Sequence, residues 1–326
     1  MLLTGALFGC GRIAHKFADD IQTIPGAGIS AVATRSLQKA RFFAKAYNAP
    51  KALDSYEALL GVKGLDAIYI ATPHVLHAEN AIMCLNTKIP VLCEKPLAMN
   101  SREVSQMIAS AEANNTFLME ALWTRFMPPI NKVLKLIAAG EIGELISVNA
   151  DFGFAANFNP EGLLFDPALG GGSLLDIGIY PVFLALLLFG KPEHIEASAI
   201  PGSTNVDSSC DMRLKFPGDK IALLHSTILS DTKTEAFIFG SKGHIHIHSR
   251  WHEMTSLSLH LNETDEVWHF DKDESCRGYR FEAEEVMTCI ENGKIGSDAM
   301  PHDFSTLLIE TLDRIRHKAG IIYSVD

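Results

Sequence analysis

The start of the chain constrains its fold most. Leu2 to Phe8 is an apolar run of strand character, and Gly9-Cys10-Gly11-Arg12-Ile13-Ala14 follows it directly. An amphipathic helical pattern then runs from about Arg12 to Thr23. Strand, G-x-G-x-x-A turn and helix in that order form the fingerprint of a dinucleotide-binding βαβ unit. The first glycine permits a tight turn, and the second lets a pyrophosphate approach the backbone. Ala14 is small enough for the helix to lie on the sheet. The free N–H groups and the dipole of the helix N-terminus attract phosphate. Gly9, Gly11, Arg12 and Ile13 are therefore candidate cofactor-binding positions.

The second expected strand, Gly28 to Ala33, ends in Thr34-Arg35-Ser36. A site built for NAD usually places an acid there to take the ribose 2′-hydroxyl. No acid is present. Arg35 and Ser36, with Lys39 a turn later, suit a 2′-phosphate through charge-assisted bonds. NADP is the expected cofactor, with NAD as the alternative.

Strand and helix patterns continue to alternate. Helices are expected over Ser36–Tyr47, Ser55–Leu60, Val75–Leu85 and Ser101–Asn114, and strands over Asp66–Ala71, Pro90–Cys93 and Thr116–Met119. This pattern predicts a parallel sheet with helices on both faces, which binds ligands at the carboxyl ends of its strands. Two loops at those ends stand out. One supplies Thr72, Pro73 and His74, with His77 just beyond. The other supplies Glu94 and Lys95, followed by Pro96. Proline holds Lys95 in extended geometry, and a cis bond is an option there.

After Ala121 the character changes. Leu122-Trp123-Thr124-Arg125-Phe126 leads into a helix over Pro128–Ala139. Strand patterns then dominate from Ile146–Phe154 to Leu257–Leu261, several joined by short turns, as expected of a largely antiparallel sheet. The closing helices, Arg280–Glu291 and Asp303–Ala319, are expected to cover one face of that sheet. The fold class is α/β, with two domains: residues 1–122 for the dinucleotide, and residues 123–326, an α+β domain with an open-faced sheet, for substrate and subunit association. A length of 326 residues fits two domains, and 47% hydrophobic with 21% charged residues fits a folded chain. The net charge of −11 with scattered basic residues argues against a nucleic-acid surface. The longest apolar run, Phe183 to Phe189, is too short to span a bilayer. The N-terminus lacks the basic region and cleavage site of a signal peptide. The six cysteines, Cys10, Cys84, Cys93, Cys210, Cys276 and Cys289, form no C-x-x-C pair. They are expected as reduced thiols in a cytoplasmic protein. His244, His246 and His248 alternate on one strand, but no acid or cysteine completes a ligand set at a recognisable spacing, so no metal site is expected.

The stretch Gly170 to Pro181 reads GGGSLLDIGIYP. Ser173 is a candidate helix N-cap, with Asp176 as the acid of a capping box. Asp176 and Tyr180 fall on one helix face, where a carboxylate beside a phenol can do proton chemistry.

Taken together, GCGRIA, ATPHVLHAE, CEKPLAMN, GGGSLLDIGIYP and MPHDFSTLLIETLD resemble, in order, the motifs of the Gfo/Idh/MocA oxidoreductase family. Within it, EALWTRFMPP is similar to the branch of dimeric dihydrodiol dehydrogenases and NADP-dependent D-xylose dehydrogenases. The resemblance implies a Rossmann domain followed by an open-faced sheet domain that often pairs subunits, hence a homodimer through that sheet. It implies that Lys95 lies near the nicotinamide. Many members carry Asp-x-x-x-His in the later motif; here the histidine position is Tyr180, as in the dihydrodiol branch. The implied chemistry is hydride transfer between nicotinamide and a hydroxyl-bearing carbon of a sugar or trans-dihydrodiol. Tyr180 is the acid/base, Lys95 the cation that favours its phenolate, and Asp176 an orienting partner. Trp123, Arg125 and Phe154 are candidate pocket residues. The alternative is a nucleotide-sensing regulator of the same fold.

Overall fold

A computed structural model describes residues 3–264, 267–270 and 277–323; Cys276 lies outside them. The chain divides into two compact units. One runs to Trp123 and takes in a later stretch ending at Thr306, and the other begins at Thr124 and takes in the stretch from Leu307.

The first unit is a six-stranded sheet ordered β3-β2-β1-β4-β5-β6. Its strands are β1 (Leu3–Phe8), β2 (Ala27–Ala33), β3 (Lys51–Leu53), β4 (Ala67–Ile70), β5 (Val91–Glu94) and β6 (Leu118–Ala121). All pairings are parallel. β4, β5 and β6 are buried along their whole length, which is why they read as apolar runs without alternation, broken only by Glu94 and Glu120 near the ends of β5 and β6. Helices α1 (Arg12–Ile21), α2 (Leu37–Ala46), α3 (Tyr56–Leu60), α4 (His77–Asn86) and α5 (Ser101–Asn114) form the crossovers. Strand order reverses between β1 and β4, the switch point at which such sheets open a crevice. This is the expected Rossmann arrangement. β3, a three-residue edge strand, was too short to announce itself by pattern.

The second unit is built on an eight-stranded sheet, β14-β13-β12-β11-β7-β10-β9-β8. Its strands are β7 (Leu145–Gly153), β8 (His194–Pro201), β9 (Asp207–Lys215), β10 (Ile221–Thr227), β11 (Ala236–Gly240), β12 (Gly243–Ile247), β13 (Leu257–Leu261) and β14 (Val267–Phe270). Only β7 and β10 run parallel; the other pairs are antiparallel. After α6 (Pro128–Ala138) comes a π-helical segment, Leu174–Gly178, and then α7 (Ile179–Phe189). α7 is apolar all round and buried along its first two turns, the mark of a core helix. The expectation of no apolar run long enough to span a membrane needs correcting. The helical stretch Pro167–Phe189 is long and apolar enough by length and composition, because the segments join. Its most apolar window is 78% buried inside the protein, so its partners are protein side chains.

The last helices are α8 (Tyr279–Glu291) and α9 (His302–Ala319). Contrary to expectation, α8 does not cover the later sheet. It packs on α1 in the first unit. The cause is a buried carboxylate: Asp20, at the end of α1, accepts the backbone N–H groups of Gly278 at 2.8 Å, Arg277 at 3.3 Å and Arg280 at 3.4 Å. These are the unsatisfied donors of the α8 N-terminus, and an anion there is favoured by the helix dipole.

Candidate active site

In the first unit, Gly9 leaves β1 at φ +94°, and a Cβ on it would lie 2.5 Å from the carbonyl oxygen of Ala71. Only glycine fits. Gly11 is the N-cap of α1; no side chain caps it and no acid stands in the first turn. A Cβ on Gly11 would meet nothing within 4 Å. The N–H groups at this start, with Arg12 and Ile13, therefore fit an anionic pyrophosphate. At the end of β2, Thr34 donates its N–H to Leu53 O, Arg35 is exposed, and Ser36 caps α2 by accepting the N–H of Lys39. The exposed cations Arg35 and Lys39 suit a phosphate ester.

The two expected loops are joined by His77. Its Nδ1 is 2.8 Å from Pro96 O and its Nε2 is 2.9 Å from Thr72 O. The ring is fully buried, and burial lowers its pKa despite the two carbonyls. With both nitrogens committed to backbone, His77 fastens the loops together and does not present its ring to a ligand, unlike the expected direct cofactor contact. Thr72, buried, also accepts from Asn80 through its hydroxyl. His74 is buried in the short turn before α4, and Pro73 is half-buried.

The Lys95–Pro96 bond is cis. Glu94 accepts the hydroxyl of Tyr69 and the N–H of Lys95. Glu120, at the end of β6, accepts the N–H of Leu97 at 3.0 Å. Burial pushes the Glu120 carboxyl up to about 7, against the bonds from Ser305 and Leu97. Behind Glu94 lies Glu282 of α8, fully buried. Burial first, then Glu94 and Asp20, hold its carboxyl well above the usual range. The lysine-bearing loop thus rests on three buried carboxyl groups. Glu94 belongs to the CEKPLAMN segment and Glu120 opens the EALWTRFMPP segment, both visible in the sequence; Glu282 comes from α8. Trp123 stacks on Tyr279 at 4.3 Å, so in this unit it packs against the start of α8.

In the second unit the glycine run leads to Tyr180. The expected capping box is absent. Ser173 has helical φ and ψ and makes no side-chain cap. Its hydroxyl donates to Asp207 of β9 at 2.8 Å, and the same carboxylate oxygen accepts the N–H of Leu174 at 2.7 Å. Asp207 thus accepts at the helix start. Gly172, at φ +122°, makes room for it, because a Cβ there would sit 2.1 Å from Asp207 Oδ1. Gly178 lets the helix approach Ser226 of β10. The winding from Leu174 to Gly178 is π-helical, a distortion frequent at functional sites. Asp176 lies in this wide turn, and Tyr180 in the first turn of α7.

Tyr180 is nearly buried, with Phe152 at 5.6 Å and His252 at 5.2 Å between ring centroids. His252 stacks on Phe152 at 4.0 Å. Phe152 and Phe154 pack on an apolar cluster of Phe165, Ile177 and Ile228. The surface beside the phenol is therefore aromatic. Arg125 donates to Asn131 at 3.1 Å. Sequence reasoning missed His252; its only signal is the Trp251-His252-Glu253 run in an irregular loop.

The histidines of β12 share one face as expected, but they stack instead of converging. His244 lies against His260 at 4.4 Å, and His246 against His248 at 4.4 Å. Among the described residues no group of three His, Cys, Asp or Glu is placed to hold a metal ion. The five described cysteines are unpaired.

A Rossmann unit with an open, anion-ready helix start, followed by a sheet unit carrying a buried phenol, defines an oxidoreductase that uses a nicotinamide dinucleotide. The chain belongs to the Gfo/Idh/MocA family: residues 3–122 match the oxidoreductase family with NAD-binding Rossmann fold, and residues 130–246 match the GFO/IDH/MocA C-terminal domain. It is 37% identical to the trans-1,2-dihydrobenzene-1,2-diol dehydrogenase of Danio rerio, covering 100% of this chain and 99% of that protein. The enzyme of that name from Homo sapiens is 32% identical, with the same coverage. Among solved structures, an aldose-aldose oxidoreductase from Caulobacter crescentus complexed with glycerol matches with a TM-score of 0.89 at 21% identity, covering 98% of both chains. A 3-ketoreductase from Actinomadura kijaniata with NADP and TDP-benzene matches at 0.87 and 24%, also over 98% of both. These two likenesses carry the fold.

Proposed function

We propose that this chain is an NADP-preferring dehydrogenase acting on a hydroxyl-bearing carbon of a trans-dihydrodiol, with sugars as the competing substrate class. The observation that carries the reading is the setting of Tyr180, a phenol on a distorted helix start against an aromatic wall. Such a wall suits a ring with hydroxyls better than a fully hydroxylated sugar. Full-length relatives named for dihydrodiol oxidation support it. The first unit binds the dinucleotide and the second the substrate.

Bound NADP supplies the hydride-accepting or hydride-donating nicotinamide. Gly9, Gly11, Arg12 and Ile13 receive its pyrophosphate, and Arg35, Ser36 and Lys39 its 2′-phosphate; Thr34 and the Thr72, Pro73, His74 and Glu94 loops frame it. In the oxidation direction Tyr180 takes the substrate hydroxyl proton at Oη, and in reduction it returns it. A free phenol has a pKa of about 10, so the base form needs a nearby cation, and Lys95 is assigned that role. Asp176 orients the polar groups, and Trp123, Arg125 and Phe154 contribute to substrate selection. The exposed face of the second sheet pairs two copies, and the unpaired cysteines favour the cytoplasm.

The test is NADP+ reduction on trans-dihydrodiols and on D-xylose, with Tyr180→Phe and Lys95→Met beside wild type. Tyr180→Phe is expected to lower turnover by about two to four orders of magnitude while NADPH binding, followed by fluorescence, is retained. Turnover within a few-fold of wild type would remove Tyr180 from its role. Nucleotide binding with no turnover on any diol or aldose would favour the regulator.

A further inference from the structure

The loop after β12 places a second proton-bearing group beside Tyr180. His252 is 3% exposed and completes a cluster of three rings, with Phe152 at 4.0 Å and 23°, Tyr180 at 5.2 Å and 46°, and Phe152 and Tyr180 themselves 5.6 Å apart. Its backbone is tied down as well, because Thr124 donates its hydroxyl to His252 O at 2.7 Å. A carboxylate also adjoins the ring: His252 Nε2 is 3.4 Å from Glu253 Oε1. Arg250 fixes that carboxylate in turn, donating from Nε to Glu253 Oε2 at 2.9 Å and from a terminal nitrogen to Oε1.

A histidine packed only as a core ring has no need of a buttressed carboxylate. We propose that the Glu253–His252 pair is an activating arm for Tyr180, in which the carboxylate favours the imidazolium and the imidazolium steadies the phenolate that accepts the substrate proton. This rests on the reading of Tyr180 as the acid/base. His252 is thereby a positioning residue that acts through the phenol; its small exposure keeps it from serving as a direct substrate contact.

The electrostatics around the pair agree. Burial pushes the Glu253 carboxyl up, but the bonds from His252 and Arg250 outweigh it and bring it down to about 2. Glu253 therefore stays anionic at any pH at which the enzyme works. An anion in contact with an imidazole favours the protonated ring, and a cation beside a phenol favours the phenolate. Around the ring stand Glu253 and Arg250 from its own loop and Tyr180 from α7. β7 contributes Phe152 and the segment before α6 contributes Thr124, neither of which titrates in the working range.

The sign follows. In the oxidation direction activity needs the phenolate and falls as pH drops through the Tyr180 pKa. Removing the imidazolium raises that pKa and moves the acid limb of the profile to higher pH. His252→Gln is expected to shift the limb of kcat/KM for diol oxidation up by about one pH unit, since one unit corresponds to the loss of a single modest charge interaction. Glu253→Gln, which leaves the ring in place, is expected to shift it the same way by less. KM for NADP+ is expected to stay at the wild-type value in both. The tyrosinate absorbance that disappears in Tyr180→Phe should titrate at correspondingly higher pH in the two variants.

Coincident acid limbs in wild type and both variants, with Tyr180→Phe inactive, would overturn the arm while leaving the acid/base assignment standing. So would a pH-independent loss of rate, which is the signature of disturbed packing; thermal melts of both variants identify that case. A Tyr180→Phe enzyme that keeps its turnover would remove the assignment and the arm together.

Discussion

Two helices in this protein start from a glycine run, and the two starts have opposite fates. At Gly9–Ile13 the start of α1 is left open: Gly11 is the cap, no side chain closes it, and no acid lies in the first turn. At Gly170–Tyr180 the start is closed from within, where Asp207 of β9 takes the Leu174 N–H and the Ser173 hydroxyl. Both runs are rich in glycine, yet one start has no side-chain acceptor and the other holds a buried carboxylate. What differs is whether a carboxylate arrives from a distant strand. A helix start without an internal acceptor keeps its N–H groups for an anion, and one that has an acceptor is braced by it. The brace lets the next turn be wound as a π-helix, and that turn carries the chain from Asp176 toward Tyr180.

The largest effect that tests this contrast belongs to Gly9. In Gly9→Ala the new Cβ would meet the Ala71 backbone at 2.5 Å, and φ +94° is itself unfavourable for a side chain. Backbone cannot swing aside as a side chain can. The variant is expected to lose about 3 kcal/mol or more of stability in denaturant unfolding, the range of severe strain and overpacking, and to lose coenzyme binding with it. Asp207→Ala comes next. It leaves the Leu174 N–H and the Ser173 hydroxyl without their buried acceptor, at a cost of about 1–3 kcal/mol. Because the brace stands before Tyr180 and apart from the open start, turnover should fall while NADPH binding is kept. Loss of coenzyme binding in Asp207→Ala with turnover otherwise intact would break the distinction between the two starts.

How much of this was visible in the residues follows from range. The strand, glycine turn and helix at the N-terminus are adjacent, so periodicity and spacing reveal them together. The parallel sheet could be read because β4, β5 and β6 are buried along their length and therefore apolar apart from Glu94 and Glu120 near the strand ends. The capping box at Ser173 was misread because Ser173-x-x-Asp176 satisfies the local rule, while the true acceptor lies 34 residues away at Asp207. The destination of α8 was misread for the same reason: Asp20 is 258 residues from the Gly278 N–H it accepts. Tyr180 stood out by its four-residue spacing from Asp176, and the acid/base role expected of it came from motif resemblance. His252 and Glu253 gave no periodic signal, since they sit in an irregular loop and acquire meaning only where the fold sets them against Phe152 and Tyr180.

Gly11→Ala sharpens the comparison from the other side. Its added Cβ meets nothing within 4 Å, so the protein itself has no reason to resist it. The open space is where a pyrophosphate would approach the backbone. Stability should stay within about 0.5 kcal/mol of wild type, as for ordinary exposed substitutions, while coenzyme Kd rises by about tenfold, the equivalent of about 1.4 kcal/mol of lost contact. Gly9 and Gly11 would then separate folding from binding within one three-residue turn. A melting temperature lowered as far as in Gly9→Ala would show that the second glycine also serves the fold.

The last effect is a change in the shape of a pH curve. Burial pushes the Asp207 carboxyl up to about 6, outweighing the bonds from Ser173 and Leu174 that act to lower it. Its pKa is thus higher folded than in the unfolded chain, where it is about 3.9. The folded state binds the proton more tightly, so this group's stabilising contribution is fully present below the unfolded value and is lost as pH rises through about 6. Asp207→Asn keeps an oxygen for the Leu174 N–H but cannot ionise. Denaturant unfolding between about pH 4 and 7 should therefore show a decline in wild-type stability, about 2–3 kcal/mol for a shift of about two pH units, that is missing in Asp207→Asn. The open start of α1 has no such internal group, so Gly11→Ala should keep the wild-type slope. If Asp207→Asn also keeps it, the brace is ionised throughout this range, and the two helix starts differ only in where their anion comes from.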